Sequence, residues 1–221
     1  MLDFDAVRLT IQISVGSTLI AVLVGVPFSW WLSRKTNWLR NTISQLVILP
    51  MVLPPTVLGY YLLQLFGRNS FIGNLLDSFF GLSLVFNWVG AVIAAFLVSA
   101  PFLIKIVHTG MENIDPKLAE IARTTGMSEL SIFFTVILPV SWKYIIAGAA
   151  LCLARSMGEF GATLMVAGSI PGRTKTLSLA IYDEVQAGNI SEANVMAITL
   201  SLLAFGLLII STIVLRGKRS L

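Results

Sequence analysis

Five apolar stretches limit what this sequence can fold into. They cover residues 9–32, 43–66, 89–107, 145–167 and 195–215, and a helix needs about 20 residues to cross roughly 30 Å of hydrocarbon. Helix is the expected form, because a backbone in lipid must satisfy its own polar groups. Composition agrees, with 56% of residues hydrophobic and 12% charged, against about 25% charged in soluble domains. The chain reads as an all-α integral membrane protein, one transmembrane domain over residues 1–221 with five spans. The N-terminus, MLDFDAVR, is acidic where a signal peptide is basic, so the first span is expected to stay as an anchor.

The distribution of basic residues orients these spans. One side collects Arg34, Lys35, Arg40, Lys105, Lys117, Arg123, Lys143, Arg216, Lys218 and Arg219, and the other only Arg8, Arg68, Arg173 and Lys175. Basic loops stay inside, which puts the N-terminus outside, and segment 112–131 and the C-terminus in the cytoplasm of a bacterial inner membrane. Trp30, Trp31, Trp38, Trp88 and Trp142 fall near span ends, where amphipathic rings meet headgroups. Because the basic residues sit between apolar runs and form no stripe with interleaved aromatics, a nucleic-acid partner is not expected. Cys152 and His108 are each the sole residue of their kind, so neither a disulfide nor a metal cluster is expected. His108 reads as a solvated or capping residue near a helix end.

Inside the spans, a few residues break the apolar pattern. Pro50, Pro54 and Pro55 in the second span remove three backbone donors. The freed carbonyls need protein or a water-lined cavity around them, so Pro54 and Pro55 are candidates either for the pathway or for a packing kink. Arg155 and Glu159 are the ionisable residues deep in the fourth span, spaced i, i+4 so that they can face one another. Closed, the pair neutralises itself and packs helices; open, Arg155 can meet an anion. Gly161 belongs to the small-residue surface around that pair. Residues 70–81 read as a short helix in the outer interface, and 168–194 as an exposed loop with one short helix. In that loop Arg173 and Lys175 are candidates for steering an anion or meeting a soluble partner.

Segment 115–139 lies between spans three and four. Asp115 followed by Pro116 starts a helix, and Gly126 ends it. Ala119, Ala122 and Gly126 fall at spacings of three and four, a small-residue face on which a partner backbone can come close. Glu120, Ile121 and Ala122, then Gly126, then Val136 after nine residues, with Leu138 and Pro139 following, resemble the EAA–G–I–L–P signature of ABC-importer permeases. Ile121 and Val136 are mild apolar departures from it. The resemblance covers nearly the whole chain, and the runs 49–63 and 158–185 resemble the molybdate branch, to which sulfate and tungstate permeases are similar.

That resemblance implies a type I, binding-protein-dependent importer. The segment around Glu120–Gly126 would then be the coupling helix seated on the ATP-binding subunit, two copies of which would serve a homodimer of this chain. A periplasmic protein would deliver a tetrahedral oxyanion. No G-x-x-x-x-G-K-[ST] phosphate loop occurs, so ATP and Mg²⁺ are expected on the partner ATPase and no cofactor on this chain, which reads as a permease and not an enzyme. The alternative, an ion-coupled anion carrier working alone, calls for several intramembrane carboxylates, and only Glu159 qualifies.

Overall fold

The computed structural model describes residues 3–34, 37–81 and 83–216, and these contain helices and no strand. Lys35, Lys218 and Arg219, used above in the charge pattern, lie outside the described residues. In chain order the helices are α1 (Phe4–Ser33), α2 (Trp38–Val52), α3 (Pro55–Phe66), α4 (Phe71–Phe80), α5 (Trp88–Glu112), α6 (Pro116–Thr124), α7 (Glu129–Ile132), α8 (Leu138–Met157), α9 (Gly161–Ala167), α10 (Leu177–Gln186) and α11 (Ile190–Arg216). A π-helical segment, Phe133–Ile137, joins α7 to α8 without a break.

Among the described residues, four helical stretches are long and apolar enough to cross a bilayer: Phe4–Ser33, Trp88–Glu112, Glu129–Met157 and Ile190–Leu215. The second expected span is not one rod. It is α2 and α3, bent by 107° at the break, and the two pass the same criterion only together. Proline causes the bend. A residue preceding proline is driven out of the helical region, so both Leu53 (ψ 142°) and Pro54 (ψ 132°) are extended before Pro55 starts α3. The fourth expected span also differs from a continuous 145–167 helix: the rod ends at Met157, and α9 is a separate short helix beyond a non-helical link.

Helices α1, α5 and α8 form the centre. Lipid offers little drive for helix association, so close packing of small residues must supply it. Ala21, Ala91, Ala94 and Ala95 are almost wholly buried, and the Ser29 hydroxyl of α1 donates to the Ile104 carbonyl of α5 at 3.2 Å. Cys152 Sγ donates to Ser99 Oγ at 3.3 Å, and Ser17 Oγ lies 2.7 Å from Ser156 Oγ. At Gly148 a Cβ would sit 3.2 Å from the Leu103 carbonyl, so α8 crosses α5 at backbone distance.

The ends of the bundle follow from shared cavities. One end gathers the C-terminal ends of α1 and α5 with α6 and α7, and the first turns of α2 join it. The opposite end gathers the N-terminal ends of α1 and α5 with the turn at residues 172–173, and the C-terminal end of α3 joins that.

Two expectations change here. Segment 168–194 is not an exposed loop. Thr174, Thr176, Leu177, Leu179 and Ala180 are buried, and the Leu177 N–H donates to Thr10 Oγ1 of α1 at 2.8 Å. His108 is not solvated either. It is buried in α5, with Nε2 3.6 Å from Glu112 Oε1. By contrast α4 appears as expected, capped by Ser70 and ended by Gly81 at φ 60°. Its Phe71, Leu75 and Phe79 are exposed, as suits an interfacial helix.

Gly148→Val is expected to cost about 1–3 kcal/mol by overpacking the α5–α8 crossing. The check is the thermal unfolding midpoint of the purified protein in detergent, which should fall clearly, and by less in Gly148→Ala.

Candidate functional site

Two assemblies hold the residues singled out by the sequence. The first lies where the two broken helices meet. Leu53–Pro54 interrupts α2 and α3, and Gly158–Phe160 interrupts α8 and α9. The interruptions touch: a Cβ on Gly161 would lie 3.0 Å from Thr56 Cγ2 and 3.3 Å from Pro55 Cβ. One turn on, a Cβ on Gly59 would lie 2.7 Å from Met165 Cβ and 2.8 Å from Ala162 Cα. The half-helices α3 and α9 therefore cross with almost no side chain between them. Gly59 was not singled out in the sequence, since its only signal is its place one turn after Pro54–Pro55.

Glu159 stands in the link rather than on a helix, yet it meets Arg155. Arg155 Nη1 lies 2.9 Å from Glu159 Oε2, although no N–H is aimed at that oxygen. The Ala162 N–H donates to the other oxygen, Oε1, at 2.9 Å, so the carboxylate also satisfies one of the open donors at the start of α9. Glu159 is 2% exposed, whereas the Arg155 side chain keeps 29% of its surface. The link is braced from two sides, by Ser17 of α1 on Ser156 and by the Ser178 hydroxyl of α10 donating to the Met157 carbonyl at 3.2 Å. At the break the carboxylate's charge is thus matched by Arg155 and one of its oxygens by the Ala162 N–H, while Oε2 has the charge pairing alone.

The second assembly is the segment outside the bundle. Asp115 caps α6 by accepting from the Lys117 N–H at 2.9 Å, and Pro116 takes the first position. At the far end Gly126 has φ 81°. The Met127 N–H reaches the Ala122 carbonyl at 3.3 Å and the Gly126 N–H the Arg123 carbonyl at 3.0 Å, a Schellman closure. A Cβ at Gly126 would meet open space, so glycine is needed there for its backbone alone.

The small face of α6 is turned the other way from the docking surface expected of it. Ala122 is 7% exposed and packs with Ile132, Phe133 and Ile137, and Ala119, Val136 and Leu138 pack on the same cluster. The side presented outward carries Leu118 and Ile121, the latter 63% exposed, with Glu120 also exposed. Small residues here let α6 lie close on its own bundle. Pro139 heads α8 and is exposed. It has no N–H for the Thr135 carbonyl, and the helix accommodates this by the π turn, in which the Leu138 N–H reaches back to Phe133.

A set of charges the sequence did not single out fastens this segment. Glu129 Oε2 lies 2.7 Å from Arg34 Nη2 of α1, and Glu129 Oε1 accepts from Arg123 Nε of α6 at 2.8 Å. That hydrogen bond holds the pKa of the Arg123 guanidinium above its ordinary value. The Arg34 guanidinium sits 4.8 Å from the Trp30 ring, which stands 4.9 Å from Phe133 of the π segment. Arg34 and Glu129 are far apart in sequence, so periodicity carries no trace of the pairing.

The two outer candidates separate. Lys175 is 15% exposed at its side chain and is held 3.3 Å from Asp183 Oδ2, which also accepts from the Ser169 hydroxyl at 2.7 Å. This ion pair ties the turn at Lys175 to α10, so the side chain is not free on an open loop. Arg173 is exposed.

A profile of the family described as binding-protein-dependent transport system inner membrane component matches residues 19–217. The molybdenum transport system permease protein ModB of Haemophilus influenzae is 39% identical over 207 residues, covering 92% of this chain and 90% of that protein. ModB of Escherichia coli K12 is 38% identical over 209 residues, covering 94% and 91%. Among solved structures, the MetNI methionine ABC transporter aligns with a TM-score of 0.74 at 19% identity, over 98% of this chain and 95% of that one. A bacterial alginate ABC transporter in complex with an alginate-bound periplasmic protein gives a TM-score of 0.77 at 15% identity, over 98% and 79%. At these identities the structures bear on the fold alone.

Arg155→Gln strands a buried carboxylate and is expected to cost about 3–5 kcal/mol, more than Glu159→Gln, which leaves the better exposed arginine. Thermal unfolding in detergent checks the order. The double variant Arg155→Gln/Glu159→Gln should recover most of the stability and the uptake, and a stable double variant without uptake would place the charges on the transport path.

Proposed function

Since the chain belongs to the family of binding-protein-dependent transport system inner membrane components, we propose that it carries molybdate inward, driven by ATP hydrolysed on a separate subunit. It is an ABC-importer permease, a multi-pass protein of the bacterial inner membrane. The cargo reading draws on the ModB relatives, which match over nine-tenths of both chains; tungstate and sulfate are the alternative oxyanions.

The observation that carries the coupling reading is α6, a capped helix outside the bundle with Ile121 facing outward and its inner face fixed to the core. An ATPase subunit that seats Leu118 and Ile121 can move α6 as a rigid piece. Glu129 passes that motion to α1 through Arg34, and the π segment passes it to α8. At the other end of α8, the Arg155–Glu159 link and the Gly59–Ala162 crossing are the parts that can shift against α3. A tetrahedral dianion needs donors or water along its path, and interrupted helices can supply both.

The orientation reading is N-terminus outside and C-terminus inside. Arg34, Arg40, Lys117 and Arg123 gather at the end holding α6, and Arg8, Arg68 and Arg173 at the other, which supports α6 in the cytoplasm. The complete transporter would hold two copies of this chain, two ATPase subunits carrying ATP and Mg²⁺, and a periplasmic binding protein. The exposed apolar sides of α2 and α11 leave surface for both lipid and the second copy.

Ile121→Glu is expected to leave insertion and thermal stability unchanged while weakening ATPase association about tenfold or more, as loss of an interface anchor does; co-purification and binding-protein-stimulated ATPase activity read it. Ala122→Leu should instead destabilise the chain, because that side is filled. For the cargo, titration of the cognate binding protein with molybdate, tungstate and sulfate should give its tightest binding with molybdate, and tight binding of sulfate alone would overturn the assignment.

A further inference from the structure

Among the described arginines whose side chains are placed, Arg8, Arg34, Arg123 and Arg155 each face a carboxylate, and Arg40 stacks on Trp31. Arg68 and Arg173 face none, and both line one cavity of about 880 Å³ at the outer end of the bundle, between the end of α3, the 83–87 strap and the turn at 170–173. Among the described residues no acidic side chain lines that cavity. Asn69, beside Arg68, also lines it with its amide uncommitted among the described residues. Two uncompensated guanidinium groups in one concavity raise the local potential and draw anions in. Each also offers the planar fork that suits an oxyanion better than a lysine does.

The cavity wall is built under strain. Phe86 has φ 56°, the one positive φ outside glycine among the described residues, and such a conformation in a bulky residue persists only where the surroundings impose it. Its N–H donates to the Val166 carbonyl at 3.0 Å, and its ring lies against Gly168. The strap is thereby tied to α9, the half-helix that starts at the Arg155–Glu159 link.

We propose that this cavity is an anion-receiving vestibule, in which Arg68 and Arg173 take up a tetrahedral oxyanion as it leaves the binding protein and hold it beside α9. The proposal rests on the transport reading above and adds where the cargo first touches the membrane subunit. Both arginines are exposed, and among the described residues neither side chain has a hydrogen bond or an ion pair, so replacement by glutamine removes charge without stranding a partner.

The test uses the complete transporter in proteoliposomes, supplied with molybdate-loaded binding protein. Arg68→Gln/Arg173→Gln is expected to lower the maximal uptake rate about tenfold, as loss of charge-assisted hydrogen bonds does. The binding-protein concentration giving half-maximal rate should stay unchanged, and Arg68→Lys/Arg173→Lys should recover part of the rate. An unchanged maximal rate with a raised half-saturation would assign the arginines to an acidic rim on the binding protein and overturn the proposal, as would wild-type behaviour. Equilibrium dialysis of molybdate against the purified chain in detergent, without binding protein, reads the site independently of transport. Retention by wild type and its loss in the double Gln variant is expected, and equal retention by both overturns the vestibule. If wild type binds molybdate in dialysis but its transporter moves none, the transport reading fails while the anion site stands.

Discussion

A helix can be broken inside a bilayer only where something other than lipid attends to the freed backbone groups. The interrupted helices of this chain meet that constraint together. Leu53–Pro54 and Gly158–Phe160 are set against each other, so each interruption lies under the other's half-helix. Glycine makes this geometry possible: an added carbon at Gly59 would collide with Met165 and Ala162 of the opposite half-helix, and one at Gly161 would press tightly on Thr56 and Pro55. The Glu159 carboxylate adds an acceptor for the first turn of α9 and takes its counter-charge from Arg155. Were the two interruptions on opposite sides of the bundle, each would need its own polar lining.

Much of this architecture is legible in the sequence because it rests on local chemistry. Hydropathy marks α1, α5 and α11, and the double proline marks a distortion at the place where α2 turns into α3. Asp115, Pro116 and Gly126 mark both ends of α6 as the structure has them. The interruption after Met157 is harder to see, since no proline marks it and its glycine is one of several in an apolar run. The close neighbours of α9 at that point, Pro55 and Thr56, come from a segment about a hundred residues earlier, which spacing along the chain does not reveal.

Pairings distant in sequence are hidden for the same reason. Spacing gives Ala119 and Ala122 one face, but whether that face looks outward or inward depends on Ile132 and Phe133, which return beneath it. Charge pattern leaves Lys175 free on a loop until Asp183 of α10 folds back to meet it. Arg34 and Glu129 come together because α1 and α7 end on the same side of the bundle. Local rules thus name the elements and their caps, while the direction an element faces comes from its neighbours.

The π segment between α7 and α8 carries one residue more than an α-helix of the same rise would hold. In an α-helix each residue advances about 100° around the axis, so that surplus residue sets the angular register of α7 relative to everything after Pro139. Phe133 is thereby turned onto Trp30 and the buried cluster while its neighbour Phe134 stays exposed, and α8 stays seated on α5. Because Pro139 fixes where that surplus sits, the rotation it puts between α7 and α8 is a permanent offset, and the face that Glu129 turns toward Arg34 is set by a proline ten residues further on.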